Sequence, residues 1–419
     1  MRAIKLFLYS IIGIFFSYII KRDPQKIAFG SWCGEKYIDN SKYLAEYAVK
    51  TLKPKGYEIY WVGKKEIYDV IPNDIEFIQI NTFRSIFQLL KCKYYFFVQQ
   101  HNGDICQYNV FNKAVLCFLD HGIGIKKWGA DDLNYHGEMD YHLYPLVKKI
   151  TSKIIGINKT YDYILSTSDP TKINYTSGLR YRMSDKTQFI NAGYPRNSIF
   201  YSTSEKQVTN IRDKYSNMFS FDKDRRIILY LPTYRRRSNN AFSFLSLSDE
   251  QSKRISSLLL RYNAILLEKN HFATQIKNIC RNCKTDNIIS IDKDIDLQEL
   301  MLISDIQISD YSGAFLDYIL LNRPIINFLY DYEYYRDIDS GLYFSSEEFA
   351  AGKITYNFDD TLEELEELLA GNDLYEKQRE VIYKRFLQFE NPDSMKIILN
   401  TVLGIKLYDG GHFDENNNH

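Results

Sequence analysis

Ala114-Val115-Leu116-Cys117-Phe118-Leu119-Asp120-His121-Gly122-Ile123-Gly124 reads as an unbroken apolar run that delivers a histidine into a glycine-rich loop. A short apolar run bounded by turn formers fits a strand buried on both faces, and such strands belong to parallel sheets covered by crossover helices. Similar runs lie outward from it at Lys26 to Phe29, Glu58 to Val62, Tyr94 to Val98 and Tyr163 to Ser166, with amphipathic stretches between them. The polar, charged segment Ser202 to Arg226 interrupts the series. A second series runs through Ile227 to Leu231, Ala264 to Leu267, Asn287 to Ile291, Ile306 to Ser309 and Pro324 to Phe328. The pattern predicts an α/β chain of two Rossmann-like, doubly wound domains, residues 23–204 and 205–405, with the carboxyl ends of their strands facing one cleft. At 419 residues the chain exceeds one core, since domains run to about 150 residues.

The 53 basic and 53 acidic residues balance, so no global field favours nucleic acid and any anion site must be local. Cysteines at 33, 92, 106, 117, 280 and 283 include one isolated C-x-x-C, Cys280 to Cys283, which suits reduced thiols of a cytoplasmic protein better than a zinc site. Residues 1–22 form a separate object. Leu6 to Ile20 carries no charge and is flanked by Arg2, Lys5, Lys21 and Arg22. A helix of that length reaches about 22 Å, short of a hydrocarbon core of about 30 Å. The expectation is an interfacial anchor on the cytoplasmic face of the membrane, with a buried first helix as the alternative. Residues 406–419 read as a polar tail, disordered from Asp409.

The chemistry-bearing residues follow strands. His121 has the side chain whose ordinary pKa, about 6.5, lets it take a proton from a hydroxyl, while Gly122 permits close backbone approach and Lys126 and Lys127 supply charge. Downstream, Ile308-Ser309-Asp310-Tyr311-Ser312-Gly313-Ala314-Phe315-Leu316-Asp317 predicts a strand end and a helix beginning near Ser312. Its free N–H groups would suit a pyrophosphate, with Asp310 or Ser312 as N-cap and Asp317 facing ligand hydroxyls or solvent. Two further loops, Pro232-Thr233-Tyr234-Arg235 and Lys269-Asn270-His271, offer a hydroxyl, an arginine fork, a lysine and a second histidine. Gly122-x-Gly124 lacks the third glycine of a dinucleotide fingerprint and no Walker A sequence occurs, which excludes those nucleotide-binding classes. Asp294-Ile295-Asp296 sits in a charged loop, and neither a metal nor a cofactor is expected.

Together these residues resemble the CDP-glycerol glycerophosphotransferase family of teichoic acid and capsule synthesis. The resemblance rests on Phe29-Gly30-Ser31-Trp32 with Gly34 and Asp39-Asn40-Ser41-Lys42-Tyr43, on His121-Gly122 through Lys127, on Gly193-Tyr194-Pro195-Arg196-Asn197, and on Leu229 through Arg235. It continues through the His271 loop, Ile308 through Gly313 with Asp317, Asp331-Tyr332-Glu333 and Gly341-Leu342-Tyr343-Phe344. The resemblance implies a GT-B architecture and transfer of a polyol phosphate, glycerol phosphate foremost, from a CDP-activated donor to a hydroxyl of a cell-surface glycan or polyol-phosphate polymer, releasing CMP. It also implies that His121 is the general base, that His271 assists at the phosphate, and that Arg196, Thr233, Ser312 and Asp317 hold the donor. The chain departs from the family pattern at Ile123-Gly124, Gly313 and Phe272. These changes remove hydroxyls near the donor and leave the transferred unit open. Two alternatives stand beside this reading: a GT-B glycosyltransferase using a CMP-sugar, and a membrane-attached polymer-binding protein without turnover.

Overall fold

The computed structural model describes residues 2–133, 154–156, 159–233, 235, 241–269, 287–291 and 295–407. Its first sheet has seven parallel strands: β1 (Asp23–Gly30), β2 (Glu58–Gly63), β3 (Glu76–Gln79), β4 (Cys92–Phe97), β5 (Val115–Phe118), β6 (Tyr163–Ser166) and β7 (Gln188–Asn191). Their spatial order is β3-β2-β1-β4-β5-β6-β7. Alternate residues enter opposite cores, as the pleat requires. Ile27, Phe29, Trp61 and Phe96 join one cluster, while Ala28, Val62, Tyr95 and Phe97 join the other. Phe29 and Phe96, partners in register, stack with ring centroids 4.9 Å apart.

The second sheet is also parallel: β8 (Arg226–Leu231), β9 (Ala264–Glu268), β10 (Ile288–Ser290), β11 (Ile306–Ser309), β12 (Ile325–Phe328) and β13 (Lys353–Thr355). Its order, β10-β9-β8-β11-β12-β13, reverses between β8 and β11, as the first sheet's does between β1 and β4. Such reversals open a crevice at the carboxyl ends of the strands. One apolar cluster runs through both halves, from Phe29 and Leu119 by way of Ile123 and Ile125 to Leu231, Leu267 and Leu342.

Three helices of the first half bear on the cleft and on the outer surface. α1 (Arg2–Ser17) lies on this half, where Leu6, Tyr9, Ile12 and Phe16 pack against its core. Its opposite face leaves Ile4, Leu8, Ile11 and Phe15 exposed, so the expectation of a buried first helix describes only one side of it. No helix among the described residues is long and apolar enough to cross a membrane. Arg22 pins the end of this segment: its guanidinium donates to the Asn112 carbonyl (2.8 Å) and the Tyr95 hydroxyl (3.0 Å). α2 (Asp39–Leu52) follows β1 and faces the other half, and α3 (Phe83–Lys91) supports α1.

The chain crosses between halves twice. It leaves the first half between the helices Ser198–Ser202 and Glu205–Phe219 and returns after Glu376–Phe386, so that Ser394–Leu403 packs against α2. At the return, the Phe389 amide donates to the Thr167 carbonyl (2.9 Å). Residues 408–419, which include the tail expected to be disordered from Asp409, lie outside the described residues, as do Cys280, Cys283 and Asp294.

Candidate active site

A cleft of about 1160 Å³ lies between the sheets, at the carboxyl ends of their strands. His121, Gly122 and Arg196 line it from the first half, and Pro232, Thr233, Lys269, Ser312, Gly313 and Asp317 line it from the second. His271, Tyr234, Arg236 and Arg237 lie outside the described residues.

His121 is fixed by the strand ends beneath it. Its Nδ1 lies 3.0 Å from the Val98 carbonyl, just past β4. A carbonyl only accepts, so this contact sets the proton on Nδ1 and leaves the Nε2 lone pair for the cleft. The Trp32 ring meets the imidazole edge-on, centroids 5.5 Å apart. Asp120, at φ 56°, turns the backbone through the left-handed region, which Asp tolerates better than most residues, and its Oδ1 accepts from the His121 amide at 2.7 Å. Beyond His121, the loop is seated by the 341–343 segment. The Lys127 amide donates to the Gly341 carbonyl (3.0 Å) and the Tyr343 amide to that of Ile125 (2.9 Å).

Arg196 and Asp317, both expected to hold the donor, are joined to each other. The Arg196 guanidinium reaches Asp317 at 2.7 Å and Asp39, at the start of α2, also at 2.7 Å. These three side chains are at most 7 % exposed, so the ion pairs form the floor of the cleft and bind its two halves. Asn197 adds a hydrogen bond from Nδ2 to Asp317 (3.2 Å) and another to Glu390 (2.9 Å). Glu390 also accepts from the Tyr194 amide at 2.9 Å. Burial, with Asp317 adding to it, pushes the Glu390 carboxyl up to about 8, so it carries its proton at neutral pH. A second tie from α2 joins Lys42 Nζ and the Tyr43 hydroxyl to Asp296, at 2.7 and 3.1 Å.

Arg235 and Asp310 stand behind the wall instead of in it. Arg235 is fully buried, forked onto Asp331 at 2.7 and 2.9 Å and paired with Asp310 at 2.9 Å. The rings of Tyr311, Tyr330 and Tyr335 surround its guanidinium. Asp310 spends its carboxylate on the Thr233 amide (3.0 Å) and hydroxyl (2.6 Å), so it shapes the 232–233 turn and does not cap the next helix. That helix starts two residues later than the sequence suggests, at Ala314, and runs only to Tyr318 with Gly313 as N-cap. The Ser312 hydroxyl accepts from the Ala314 amide at 3.3 Å.

Gly313 meets the histidine loop directly. A Cβ there would stand 2.6 Å from the Ile123 carbonyl oxygen and 3.1 Å from its nitrogen. Glycine at 313 lets the histidine loop close onto the second half. Sequence reasoning assigned no role to Asp120, Asp39 or Glu390. The first two stand inside quoted stretches of sequence, whereas Glu390 arrives from the returning C-terminal segment, far in sequence from any strand end.

Over residues 13–404 the sequence matches the family described as CDP-Glycerol:Poly(glycerophosphate) glycerophosphotransferase. It is 25 % identical, across 96 % of its own length and 98 % of the other, to a teichoic acid poly(glycerol phosphate) polymerase of Bacillus spizizenii. A teichoic acid glycerol-phosphate transferase of Staphylococcus aureus is 23 % identical across 92 % of this chain and 95 % of that protein. The fold is similar to that of the wall teichoic acid polymerase TagF, solved as a variant with CDPG, at a TM-score of 0.74 and 22 % identity over 96 % of this chain and 92 % of that one.

Proposed function

The chain belongs to the CDP-glycerol:poly(glycerophosphate) glycerophosphotransferase family, and on that premise we propose that it moves glycerol phosphate from CDP-glycerol to a hydroxyl of a teichoic-acid-type polymer, releasing CMP. One observation carries this reading: His121 faces Thr233, Lys269 and Ser312 across a single cleft. The acceptor oxygen attacks the phosphorus that bears glycerol as its proton passes to His121 Nε2. A new P–O bond forms, the bond to the CMP phosphate breaks, and the proton later leaves Nε2 for solvent. Phosphoryl transfer of this kind depends on alignment and on neutralising charge on the phosphoryl oxygens. Lys269 is the described cation on the donor side of the cleft, with the hydroxyls of Thr233 and Ser312 as further donors. The ion-paired Arg196 and Asp317 act through the shape of the floor.

The direct test is CMP release from CDP-glycerol, CDP-ribitol and CMP-sugars, with teichoic-acid-type primers as acceptor. Histidine-dependent CMP from CDP-glycerol is the expected result. CMP from a CMP-sugar alone would transfer the reading to glycosyl transfer, and donor binding without turnover would leave a binding protein.

We also place the enzyme on the cytoplasmic membrane surface, through the outer face of α1. Ile4, Leu8, Ile11 and Phe15 form an exposed stripe at helical spacing, and Lys21, Lys93 and Lys113 line a dent just beyond the helix end. Apolar insertion beside cations fits an anionic lipid surface. Removing α1 would uncover the surface under Tyr9 and Phe16, so point changes on the outer face are the cleaner probe. Leu8→Glu with Phe15→Glu is expected to weaken binding to phosphatidylglycerol vesicles by at least about 10²-fold, since each buried side chain contributes about 2 kcal/mol. Co-sedimentation at the parent level would refute this placement.

A further inference from the structure

The carboxylate nearest His121 sits on the histidine's own loop. Asp120 is only 4 % exposed. Its Oδ1 holds the His121 amide and stands 3.3 Å from Nδ1. Its Oδ2 accepts from the hydroxyls of Tyr175 and Tyr194, the latter at 3.1 Å. Asn40 fixes the backbone at the same point, donating from Nδ2 to the carbonyls of Leu119 (3.1 Å) and Asp120 (2.8 Å). A buried carboxylate with hydrogen bonds to both oxygens and an imidazole beside it is built to face a cation, yet the imidazole is neutral until it takes a proton.

We propose that Asp120 is a positioning residue for the transfer reaction, orienting the His121 ring and stabilising the imidazolium formed when Nε2 takes the acceptor's proton. This rests on the reading of His121 as base. The Val98 carbonyl receives the Nδ1 proton, and Asp120 supplies the negative charge that a carbonyl lacks. Tyr175 and Tyr194 tune that charge by holding Oδ2, and Tyr194 belongs to the same turn as Arg196. Asp120 borders the cleft, but both of its carboxylate oxygens are already engaged, Oδ1 by His121 and Oδ2 by Tyr175 and Tyr194. Its effect therefore falls on the proton and not on binding.

Other charges share the surroundings. Asp104, under the loop, interacts with His121, and its carboxyl is raised by burial to about 6. Arg196 with Asp39 and Asp317, the loop's own Lys126 and Lys127, and Lys269 opposite all line the cleft. Because the Asp104 carboxyl is pushed up to about 6, the test must read the His121 ring itself. Asp120→Asn suits it: Asn tolerates the left-handed backbone at this position, removes the charge, and replaces one acceptor oxygen by an NH2 donor, a change for which Tyr175→Phe serves as the control.

The experiment follows the ring carbons of labelled histidine by NMR from pH 5 to 9, with the His121 signal assigned by its loss in His121→Ala, and records kcat and KM for CMP release in parallel. A carboxylate that stabilises imidazolium favours the protonated ring, so the His121 signal is expected to lose its proton at lower pH in Asp120→Asn than in the parent. The acidic limb of kcat/KM should move down with it, plateau kcat should fall by about 10-fold or more, and the donor KM should stay within about 2-fold. Tyr175→Phe, which keeps the carboxylate and removes one of its donors, should leave the midpoint at or above the parent value. An unmoved midpoint in Asp120→Asn, or an equal fall in Tyr175→Phe, would overturn the proposal. If His121→Ala keeps full turnover, the base assignment fails instead, while the ring titration still decides whether Asp120 and His121 are coupled.

Discussion

Replacing His121 by alanine is expected to lower kcat for CMP release by at least about 10²-fold, with the donor KM little changed. The expectation follows from how the ring is held. One nitrogen is committed to the Val98 carbonyl at 3.0 Å, and the Trp32 ring packs edge-on against the imidazole, which leaves the other nitrogen free to accept an acceptor's proton. Alanine removes that acceptor while the 341–343 segment still seats the loop through backbone hydrogen bonds alone. Parent-like kcat in the variant would remove His121 from the chemistry. A rise in KM alone would make it a binding group.

The largest loss of stability is expected from Arg196→Leu. The guanidinium answers two carboxylates from opposite halves, Asp39 and Asp317, each at 2.7 Å and each almost wholly out of solvent. Removing one partner of a buried pair strands the other charge, at a cost of about 3–5 kcal/mol. Asp39 also accepts from Trp32 Nε1 at 3.0 Å, so the damage extends to the ring beside His121. The urea midpoint of the variant should fall well below that of the parent. An unchanged midpoint would show that the pairs contribute nothing net. Arg196→Lys should recover little, since an ammonium cannot fork between two carboxylates.

The sheets were largely legible in the sequence because interior strands are buried on both faces and so appear as plain apolar runs. The strands without such a signature, β3, β7 and β13, are all sheet edges with mixed or intermediate burial: Gln188-Phe189-Ile190-Asn191 fully buries only Ile190. His121, Thr233, Ser312 and Lys269, singled out as residues that follow strands, all line the cleft, since loops after parallel strands converge there. Residue type misled at Arg235. An arginine beside a nucleotide cleft suggests phosphate, but its partners Asp331 and Asp310 come from loops distant in sequence, and nothing local reveals that the fork is already filled. Gly313 was legible as a glycine but not as a contact, because the atom that excludes a side chain belongs to Ile123 in the other half.

The double passage of the chain between halves constrains the kinematics of the enzyme. Two bodies joined by one tether can swing in any direction. Joined at two points, near residues 203–204 and again near 387–393, they retain one soft motion, a rocking about the line through the joints. The Arg196 turn runs directly into the first joint, and Glu390 reaches that turn from the second. The ion pairs on the cleft floor thus lie along the axis, where displacement is least. The contact of Gly313 with Ile123 carries no charge, so parting the halves there costs less than breaking the buried ion pairs of Arg196.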